Sequence, residues 1–315
     1  MPQSIFREWT EETTALWGRQ PLKLEHTLHQ SPLFTIEALG ELIERYQRHP
    51  QRHHSLVYMG MLGGDRFWRE GDIDGMSGGA VIEAISKGRF WLNLRSTDLV
   101  DGRYGAVLAQ MFEEIGSHVT DPAGFPARSL GVLISSPSAQ VYYHADLPNQ
   151  SLWQVAGRKR VYVYPSAVPF LEPEHLERIA IYEVEVDVPY RPWYDKYAKV
   201  FDVGAGEMLH WPLNSPHRVV NYESLNVSIT TEYWAKECQQ RYRVNLANGA
   251  LRYRFGMNPV GRATSGPGYQ AKALMARWLS RTDWLKRSRT VRKPIDFRLD
   301  CDRLGEIVEV TPRSA

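Results

Sequence analysis

Hydrophobic and polar positions divide the chain into three stretches with different periods. Residues 1–125 mix helical and strand patterns, residues 126–236 hold short alternating segments, and residues 237–315 combine helical spacing with many basic side chains. Side chains alternate faces in a strand but recur every three to four residues in a helix, so these periods predict element types. We expect an N-terminal mixed α/β region that packs on a central β core, followed by a basic helical region.

The N-terminal region predicts helices and strands on either side of a glycine-rich stretch. Thr35 is a candidate N-cap for the first amphipathic helix. The glycines from Gly60 to Gly79 predict a flap or a connecting loop, because the GxxxxGK[ST] pattern of phosphate-binding loops is absent. The expected elements are helices over 36–46, 80–86 and 104–118, and strands over 55–59 and 89–95.

From residue 126 onward, short apolar segments are separated by Gly, Pro and Asn turns, which is typical of a sandwich or barrel. The expected fold class is mainly β with flanking helices (α+β), built on a double-stranded β-helix of the jelly-roll kind. Such a core can hold a small ligand beside a metal. The predicted strands are 130–135, 139–144, 151–156, 159–164, 181–186, 199–203, 207–211, 217–221 and 225–234.

The composition is typical of a globular protein, and the net charge does not indicate a particular ligand or partner. The 315 residues are 43% hydrophobic and 23% charged with a net charge of +2, an ordinary globular composition. The first residues lack the apolar segment of a secretory signal, and no apolar run approaches the ~18 residues that span a bilayer. Two distant cysteines, Cys238 and Cys301, predict neither a disulfide scaffold nor a zinc site. We therefore expect a cytoplasmic protein with no membrane partner.

His144 and Asp146 form the first candidate for chemistry. Residues two apart in an extended segment point the same way, so one short piece of backbone supplies an imidazole and a carboxylate. One more histidine completes a 2-His-1-carboxylate triad, which leaves three coordination positions open and suits non-haem Fe(II). His217, which follows a proline-rich turn, is the expected third ligand, and His210 is the competing one.

These residues belong to an ordered series of motifs. In chain order they are His144-x-Asp146, a Q-x-x-G-x-K-R-x-x-x-x-P segment from Gln154 to Pro165, a Gly-Glu turn leading to P-x-x-x-P-H at His217, and a closing strand ending in Tyr233-Trp234. In this series the chain resembles the cupin-like, JmjC-type branch of the Fe(II)- and 2-oxoglutarate-dependent oxygenases. The resemblance covers roughly residues 126 to 236.

The resemblance implies Fe(II) and 2-oxoglutarate as cofactors and O₂ as co-substrate. It also implies that Lys159, fifteen residues after His144, binds the distal carboxylate of 2-oxoglutarate. Lys159 lies in phase with Val161, and a buried lysine is costly unless an anion accompanies it. The alternative is that Arg158 or Arg160 points inward and Lys159 outward.

The other expected cofactor contacts come from three segments near the first histidine and on the closing strand. Gln150 stands where the relatives carry an Asn, and the adjacent Asn149 is an alternative. Either Tyr142 or Tyr143 should face inward. The closing strand contributes Ser228 and Thr230 in phase with Glu232, which stands where the relatives often hold an amide. The contacts expected beyond Lys159 are Tyr142, Asn149, Gln150 and Thr230.

The expected activity is hydroxylation of an unactivated C–H, on a peptide or protein side chain or on a small molecule. A second hypothesis is a metal-binding cupin module that senses a ligand without turnover. A metal-dependent isomerase, or a dioxygenase without 2-oxoglutarate, usually needs extra histidine ligands, and none stands at a matching spacing.

The C-terminal region is strongly basic. Residues 252–303 contain thirteen Lys or Arg against four Asp, and residues 271–285 have helical spacing. Basic helices with aromatic residues can contact nucleic acid or an anionic membrane. We favour instead a helix that packs on the barrel or on a twin subunit, and the resemblance implies a homodimer through such helices.

Overall fold

The computed structural model describes residues 4–50, 54–59, 68–120, 124–183, 188–289 and 295–310. Nine α-helices lie within these ranges: α1 Glu11–Leu16, α2 Ile36–Arg48, α3 Gly78–Lys87, α4 Thr97–Val100, α5 Gly102–His118, α6 Pro173–Tyr182, α7 Lys236–Phe255, α8 Gly266–Leu279 and α9 Asp283–Arg289. Among the same residues, no helix is both long enough and apolar enough to cross a bilayer.

Fourteen strands lie in the described part of the chain and form two sheets. The strands are β1 Leu22–Glu25, β2 His54–Met59, β3 Trp68–Asp72, β4 Phe90–Leu94, β5 Ser129–Ser135, β6 Gln140–His144, β7 Asn149–Ala156, β8 Arg158–Val163, β9 Lys199–Gly204, β10 Glu207–His210, β11 His217–Asn221, β12 Asn226–Tyr233, β13 Ile295–Leu299 and β14 Ile307–Glu309. The large sheet has the order β1-β10-β7-β12-β5-β4-β2-β3-β13-β14, and the small sheet has the order β6-β11-β8-β9.

The small sheet and the β10-β7-β12-β5 part of the large sheet form the predicted jelly-roll core. Neighbouring strands in this core run antiparallel. Apolar side chains from both sheets meet between them, because each strand alternates an inner and an outer face. The buried members of this interior cluster are Leu133, Leu152, Val161, Val163, Val203, Leu209, Trp211 and Val219.

The N-terminal helices pack on the outer face of the large sheet. Leu39, Leu42, Ile43 and Tyr46 of α2 are all fully buried in the main core. The N-cap hydroxyl of Thr35 accepts a hydrogen bond from the amide of Ala38, as the sequence predicted. This layer leaves the inner face of the jelly roll available for a site.

Two predicted elements are wrong. The glycine-rich stretch was expected to be a connecting loop, but residues 68–72 form β3, because β2 and β13 pair with it on either side. Gly71 packs directly under the ring of Phe297, where no Cβ would fit. Residues 181–182, predicted as the start of a strand, instead end helix α6, whose buried face includes Ile181. Residues 60–67 and 184–187 lie outside the described residues.

The C-terminal region is helical, but it differs from the prediction in two respects. Helix α7 was not predicted, because it packs on both α6 and α8 and its apolar positions therefore do not form one stripe. The predicted helix over 271–285 is interrupted, since α8 ends at Leu279 and α9 begins at Asp283. Strands β13 and β14 from this region join the large sheet, so the three-part domain division remains a proposal.

A buried ion cluster joins helix α6 to helix α7 and to the segment that follows α7. Glu177 of α6 is fully buried and pairs with Arg252 and Arg262, each at 2.8 Å. Glu177→Gln leaves both guanidinium groups without their buried charge partner, so we expect a loss of about 3 kcal/mol in the free energy of unfolding. Urea denaturation will measure it. The partly exposed Glu174 contacts the same arginines, and Glu174→Gln should cost under about 1 kcal/mol. Equal losses in the two variants would contradict the assignment.

Candidate metal centre and cofactor pocket

Three predicted ligands meet at one end of the small sheet. His144 ends β6, His217 begins β11, and the two residues are directly paired across the strands. Their ring centroids are 4.1 Å apart. Asp146 follows His144 by two residues, and its Oδ2 lies 3.4 Å from His217 Nε2. One ligand atom from each of the three residues lies within 4.8 Å of the others.

The backbone orients both imidazole rings. Nδ1 of His144 lies 2.7 Å from the carbonyl oxygen of Tyr142, and Nδ1 of His217 lies 3.1 Å from that of Ser215. Because a carbonyl oxygen only accepts, each Nδ1 carries the proton and each Nε2 keeps its lone pair. This tautomer is the one that a metal-binding histidine needs.

The electrostatics of the three residues favour a bound cation. Burial raises the pKa of Asp146, although His144 and Arg95 act in the opposite direction. Burial, reinforced by His144, lowers the pKa of His217. Oδ2 of Asp146 is buried and has no hydrogen-bond partner among the described residues. A divalent cation would pair with this carboxylate and accept the two imidazole lone pairs, so the donor set fits Fe(II).

A bulge in β6 shapes the site. The pairing His217↔His144 is followed by Val219↔Val141, so β6 carries one residue more than β11 at this point. Tyr143, next to His144 on the strand, points away from the site, and its hydroxyl donates to the carbonyl of Phe170 at 2.7 Å. Of the two tyrosines, one of which was expected to face inward, Tyr143 is therefore not the inward one. The contact expected from Tyr142 stays a prediction.

His210 lies outside the triad. Its ring stacks on Trp17 with a centroid separation of 3.8 Å, and Nδ1 lies 2.9 Å from the hydroxyl of Ser151. Burial lowers the pKa of His210 to about 3. We expect His210→Gln to keep Fe(II) affinity and to lose about 1–3 kcal/mol of stability through the lost stacking and hydrogen bond. Anaerobic Fe(II) titration and thermal unfolding measure the two quantities. Loss of iron binding in a folded His210→Gln variant would contradict this view.

Lys159 lines a cavity between the sheets. Strand β8 pairs with β11 so that Val163 lies opposite His217 and Lys159 lies opposite Asn221. His217, Val219 and Asn221 share one face of β11, so the triad and Lys159 lie at opposite ends of this strand. The residues lining the cavity are Trp91, Leu133, Ser135, Ala139, Gln140, Val141, Leu152, Lys159, Val219 and Asn221.

The ammonium group of Lys159 is buried without a carboxylate. Its Nζ donates to the hydroxyl of Ser228 at 2.6 Å, and among the described residues no acidic group forms an ion pair with it. Burial lowers the pKa of Lys159 to about 7. The neighbouring Arg158 and Arg160 instead bind Asp202 at 3.3 and 2.8 Å. Lys159 is thus the inward residue, as predicted, and the alternative orientation is not observed.

Ser228 belongs to a hydrogen-bond relay that aims its lone pairs at Lys159. The hydroxyl of Ser228 donates to Oε1 of Gln154 at 2.7 Å, and Nε2 of Gln154 donates to Oδ1 of Asn226 at 2.7 Å. Because Ser228 donates its proton away, its oxygen is left to accept from Lys159. The sequence predicts only that Ser228 points inward with Thr230 and Glu232. Its role follows from its position directly opposite Gln154.

Glu232 faces the pocket near the metal ligands. Nε2 of Gln150 donates to Oε1 of Glu232 at 3.0 Å. Burial raises the pKa of Glu232 to about 7, Asp146 adds to this effect, and Arg95 opposes it. The carboxylate is therefore an inward group, stabilised by the side chain of Gln150. The side-chain amide of Gln150 is thus already hydrogen-bonded to Glu232, and its predicted contact with 2-oxoglutarate remains a proposal.

The last two predicted contacts, Asn149 and Thr230, lie beside Gln150 and Glu232 on the paired strands β7 and β12. Asn149 is buried, and in the part of the chain that the structure describes its Oδ1 has no hydrogen-bond partner. The hydroxyl of Thr230 lies close to Gly131. A Cβ atom added to Gly131 would be 2.7 Å from this hydroxyl oxygen. Oδ1 of Asn93, on the neighbouring strand β4, is also buried and unpartnered. Asn149 and Asn93 thus offer unsatisfied acceptors, and neither Asn93 nor Arg95 could be connected to the site by its sequence spacing.

Comparison with solved structures identifies the same architecture in a bacterial protein. A structure of YcfD from E. coli matches 91% of this chain and 72% of its own, with a TM-score of 0.51 and 14% identity. Another, described as the ribosomal oxygenase YcfD from Escherichia coli with cobalt and 2-oxoglutarate, matches 93% of this chain and 74% of its own, with a TM-score of 0.50 and 14% identity. This chain has the fold of YcfD. The predicted jelly-roll fold and, at the level of the fold, the resemblance to JmjC-type oxygenases are confirmed.

The likeness to YcfD is structural, and the sequences have diverged far. No family model matches the chain, and no curated protein matches it. At 14% identity the comparison shows the fold alone. The assignment of ligands and cofactor contacts therefore depends on the geometry of this chain.

Proposed function

We propose that the protein is an Fe(II)- and 2-oxoglutarate-dependent oxygenase that hydroxylates an unactivated C–H bond. One observation supports the proposal most strongly: a His-Asp-His triad lies at one end of β11, and at the other end lies a buried lysine that lines a cavity and has no carboxylate partner among the described residues. A metal and a dicarboxylate would satisfy both groups at once. The description of YcfD as bound to cobalt and 2-oxoglutarate supports the same pair of cofactors.

In this proposal each residue has a separate task. His144, Asp146 and His217 hold Fe(II), and Lys159 binds the distal carboxylate of 2-oxoglutarate. Once bound, the metal and 2-oxoglutarate supply the oxidising chemistry with O₂. Ser228 holds the lysine in position through the relay described above. Asn149 and Thr230 remain candidate contacts beside the cofactor.

The protein's further contribution is to exclude water. The cavity beside Lys159 is lined mainly by apolar residues, including Val141, Leu133, Leu152 and Val219. A dry wall strengthens the pairing of Lys159 with a carboxylate, because screening is weak there. It also protects a reactive site from side reactions with solvent.

We propose a protein side chain as the substrate, with a small molecule as the alternative. YcfD is described as a ribosomal oxygenase, which supports a macromolecular substrate. His144 is only half-buried and Arg95 is exposed, so the triad is reachable from solvent on the side of β4. The reducing cytoplasm that we propose as its location would keep iron ferrous and agrees with two free cysteines.

Anaerobic Fe(II) titration with and without 2-oxoglutarate, followed by visible absorption, tests the cofactor pair. We expect a weak charge-transfer band in the green only when both are present. The band should disappear in His217→Ala and in Lys159→Ala. Iron binding without a band would reject 2-oxoglutarate and favour the second hypothesis, a cupin that binds metal as a sensor.

A further inference from the structure

Helix α8 exposes large apolar side chains that are not packed into the interior of the protein. Leu274 and Trp278 lie one helical turn apart and are 68% and 59% exposed. The opposite side of α8 packs against α7, with Ala276 and Leu279 buried in the helical cluster. The sequence had predicted that this apolar stripe would pack, but only part of it does. We define the α8 face as the outward residues Leu274, Arg277 and Trp278 of the helix together with Arg281, which lies just past its C-terminal end.

Positive charge surrounds these side chains. Residues 252–289 hold nine Lys or Arg and a single acidic residue, Asp283, whereas the whole chain has a net charge of only +2. Some of these cations are neutralised inside the fold, as Arg252 is by Glu177. Arg277 and Arg281 are exposed, and within the described residues they form no ion pair or side-chain hydrogen bond. The α8 face therefore presents uncompensated positive charge beside a tryptophan.

The charge argues against a second copy of the chain as the occupant. In a two-fold contact through this face, the patch that contains Arg277 and Arg281 would meet the same patch of the other copy. Like charges brought together without acidic partners oppose association. Helix α8 itself contains no Asp or Glu that could neutralise them.

A lipid surface fits less well than nucleic acid. An interfacial helix buries a broad apolar face in the membrane, but that face of α8 already packs on α7. The outward side carries a tryptophan between two arginines instead. An indole offers a base a stacking surface, and guanidinium groups bind phosphates with good geometry.

We propose that the α8 face binds single-stranded nucleic acid. Trp278 stacks on a base, and Arg277 and Arg281 contact the phosphates on either side. Leu274 extends the apolar surface by one helical turn. The proposal is independent of the oxygenase chemistry, because it uses no residue of the triad or the cofactor pocket.

Fluorescence anisotropy of a labelled twelve-nucleotide oligo(U) RNA with the full-length protein tests the proposal. We expect binding at about 50 mM salt that weakens as salt rises, because phosphate contacts release counterions. Arg277→Glu/Arg281→Glu should weaken binding by about tenfold or more, and Trp278→Ala should weaken it by about fivefold or more. Arg277→Lys/Arg281→Lys should retain most of the affinity. A labelled oligo(dT) of the same length distinguishes RNA from single-stranded DNA in general.

Arg19→Glu is the matched control, because Arg19 is exposed and forms no ion pair within the described part of the chain. It should bind the oligonucleotide as the unaltered protein does. Each variant is checked by its melting temperature and its 2-oxoglutarate turnover, neither of which should change. The proposal is overturned if the unaltered protein does not bind at about 50 mM salt, or if the double Glu variant binds equally well. It is also overturned if the protein binds phosphatidylserine vesicles but not RNA, or if Trp278→Ala converts a dimer to a monomer without changing RNA affinity.

Discussion

Asp146→Ala should abolish both Fe(II) binding and succinate formation from 2-oxoglutarate. Asp146 supplies the single carboxylate of the triad, and no described residue forms a hydrogen bond to its Oδ2. Loss of a residue that merely supports a ligand costs metal sites about 10–100-fold in affinity, so loss of a direct ligand should cost more. His144→Ala should behave in the same way. Anaerobic titration measures the first effect, and succinate release measures the second.

Thermal unfolding separates loss of the metal from loss of the fold. Fe(II) at about 100 times its dissociation constant should stabilise the unaltered protein by about 2.7 kcal/mol, and it should not stabilise Asp146→Ala. Asp283→Ala removes an exposed aspartate of α9 and should leave the iron-induced shift intact. Succinate formation by folded Asp146→Ala and His144→Ala proteins would exclude the triad as the catalytic metal site.

The strands of the core could be predicted because each one carries a buried face with a strict two-residue period. Lys159, Val161 and Val163 alternate with exposed or half-buried residues along β8, and all three are buried. The local turns around them are marked by Gly and Pro. Elements whose pattern depends only on neighbouring residues were therefore recoverable from the sequence.

Elements that depend on distant pairing were not recoverable. Strand β3 is short and glycine-containing, and it is held by β13 from the far end of the chain. Its Gly71 makes room for the ring of Phe297, a contact that no local pattern reveals. The local pattern of a glycine-rich stretch therefore predicts a loop, and the strand can be recognised only once its partner strand is known.

The same limit applies to the cofactor pocket. Ser228, Thr230 and Glu232 keep one phase along β12, so counting along the strand predicts that all three point inward. Counting cannot predict that Lys159, which lies in the other sheet, reaches Ser228 and not Thr230. The metal ligands were easier to predict, because two of them lie two residues apart in one segment.

Lys159→Met should have opposite effects on cofactor affinity and on stability. Methionine nearly preserves the shape of the lysine stem but removes the charge. We expect 2-oxoglutarate to bind at least about thirtyfold more weakly, since the loss of one partner of a buried charged pair costs about 2–5 kcal/mol. Isothermal titration with Fe(II) present measures the change. Arg160→Met, on the same strand but paired with Asp202 outside the pocket, should leave the affinity unchanged.

The free energy of unfolding should rise in the same variant. The pKa of Lys159 falls from 10.5 to about 7 on folding, so the unfolded chain binds a proton that the cofactor-free folded protein lacks at pH 7.5. This difference destabilises the fold by about 4 kcal/mol at that pH. Loss of the hydrogen bond to Ser228 offsets about 1 kcal/mol, which leaves a gain of about 3 kcal/mol for Lys159→Met. Urea unfolding without cofactors measures it. A variant that loses affinity and stability together would indicate a structural lysine.

The free energy of unfolding and the affinity for 2-oxoglutarate should each change with pH in a definite direction. Between pH 7 and about 10, the unfolded state keeps its proton on Lys159 and the folded state does not, so this group makes stability rise with pH. Binding of 2-oxoglutarate needs the protonated lysine, so affinity should be level below pH 7 and fall by up to tenfold per pH unit above it. Lys159→Met should show neither trend. If titrations from pH 6 to 9 give a constant affinity in the unaltered protein, Lys159 does not hold the distal carboxylate, and the charge that does must titrate elsewhere.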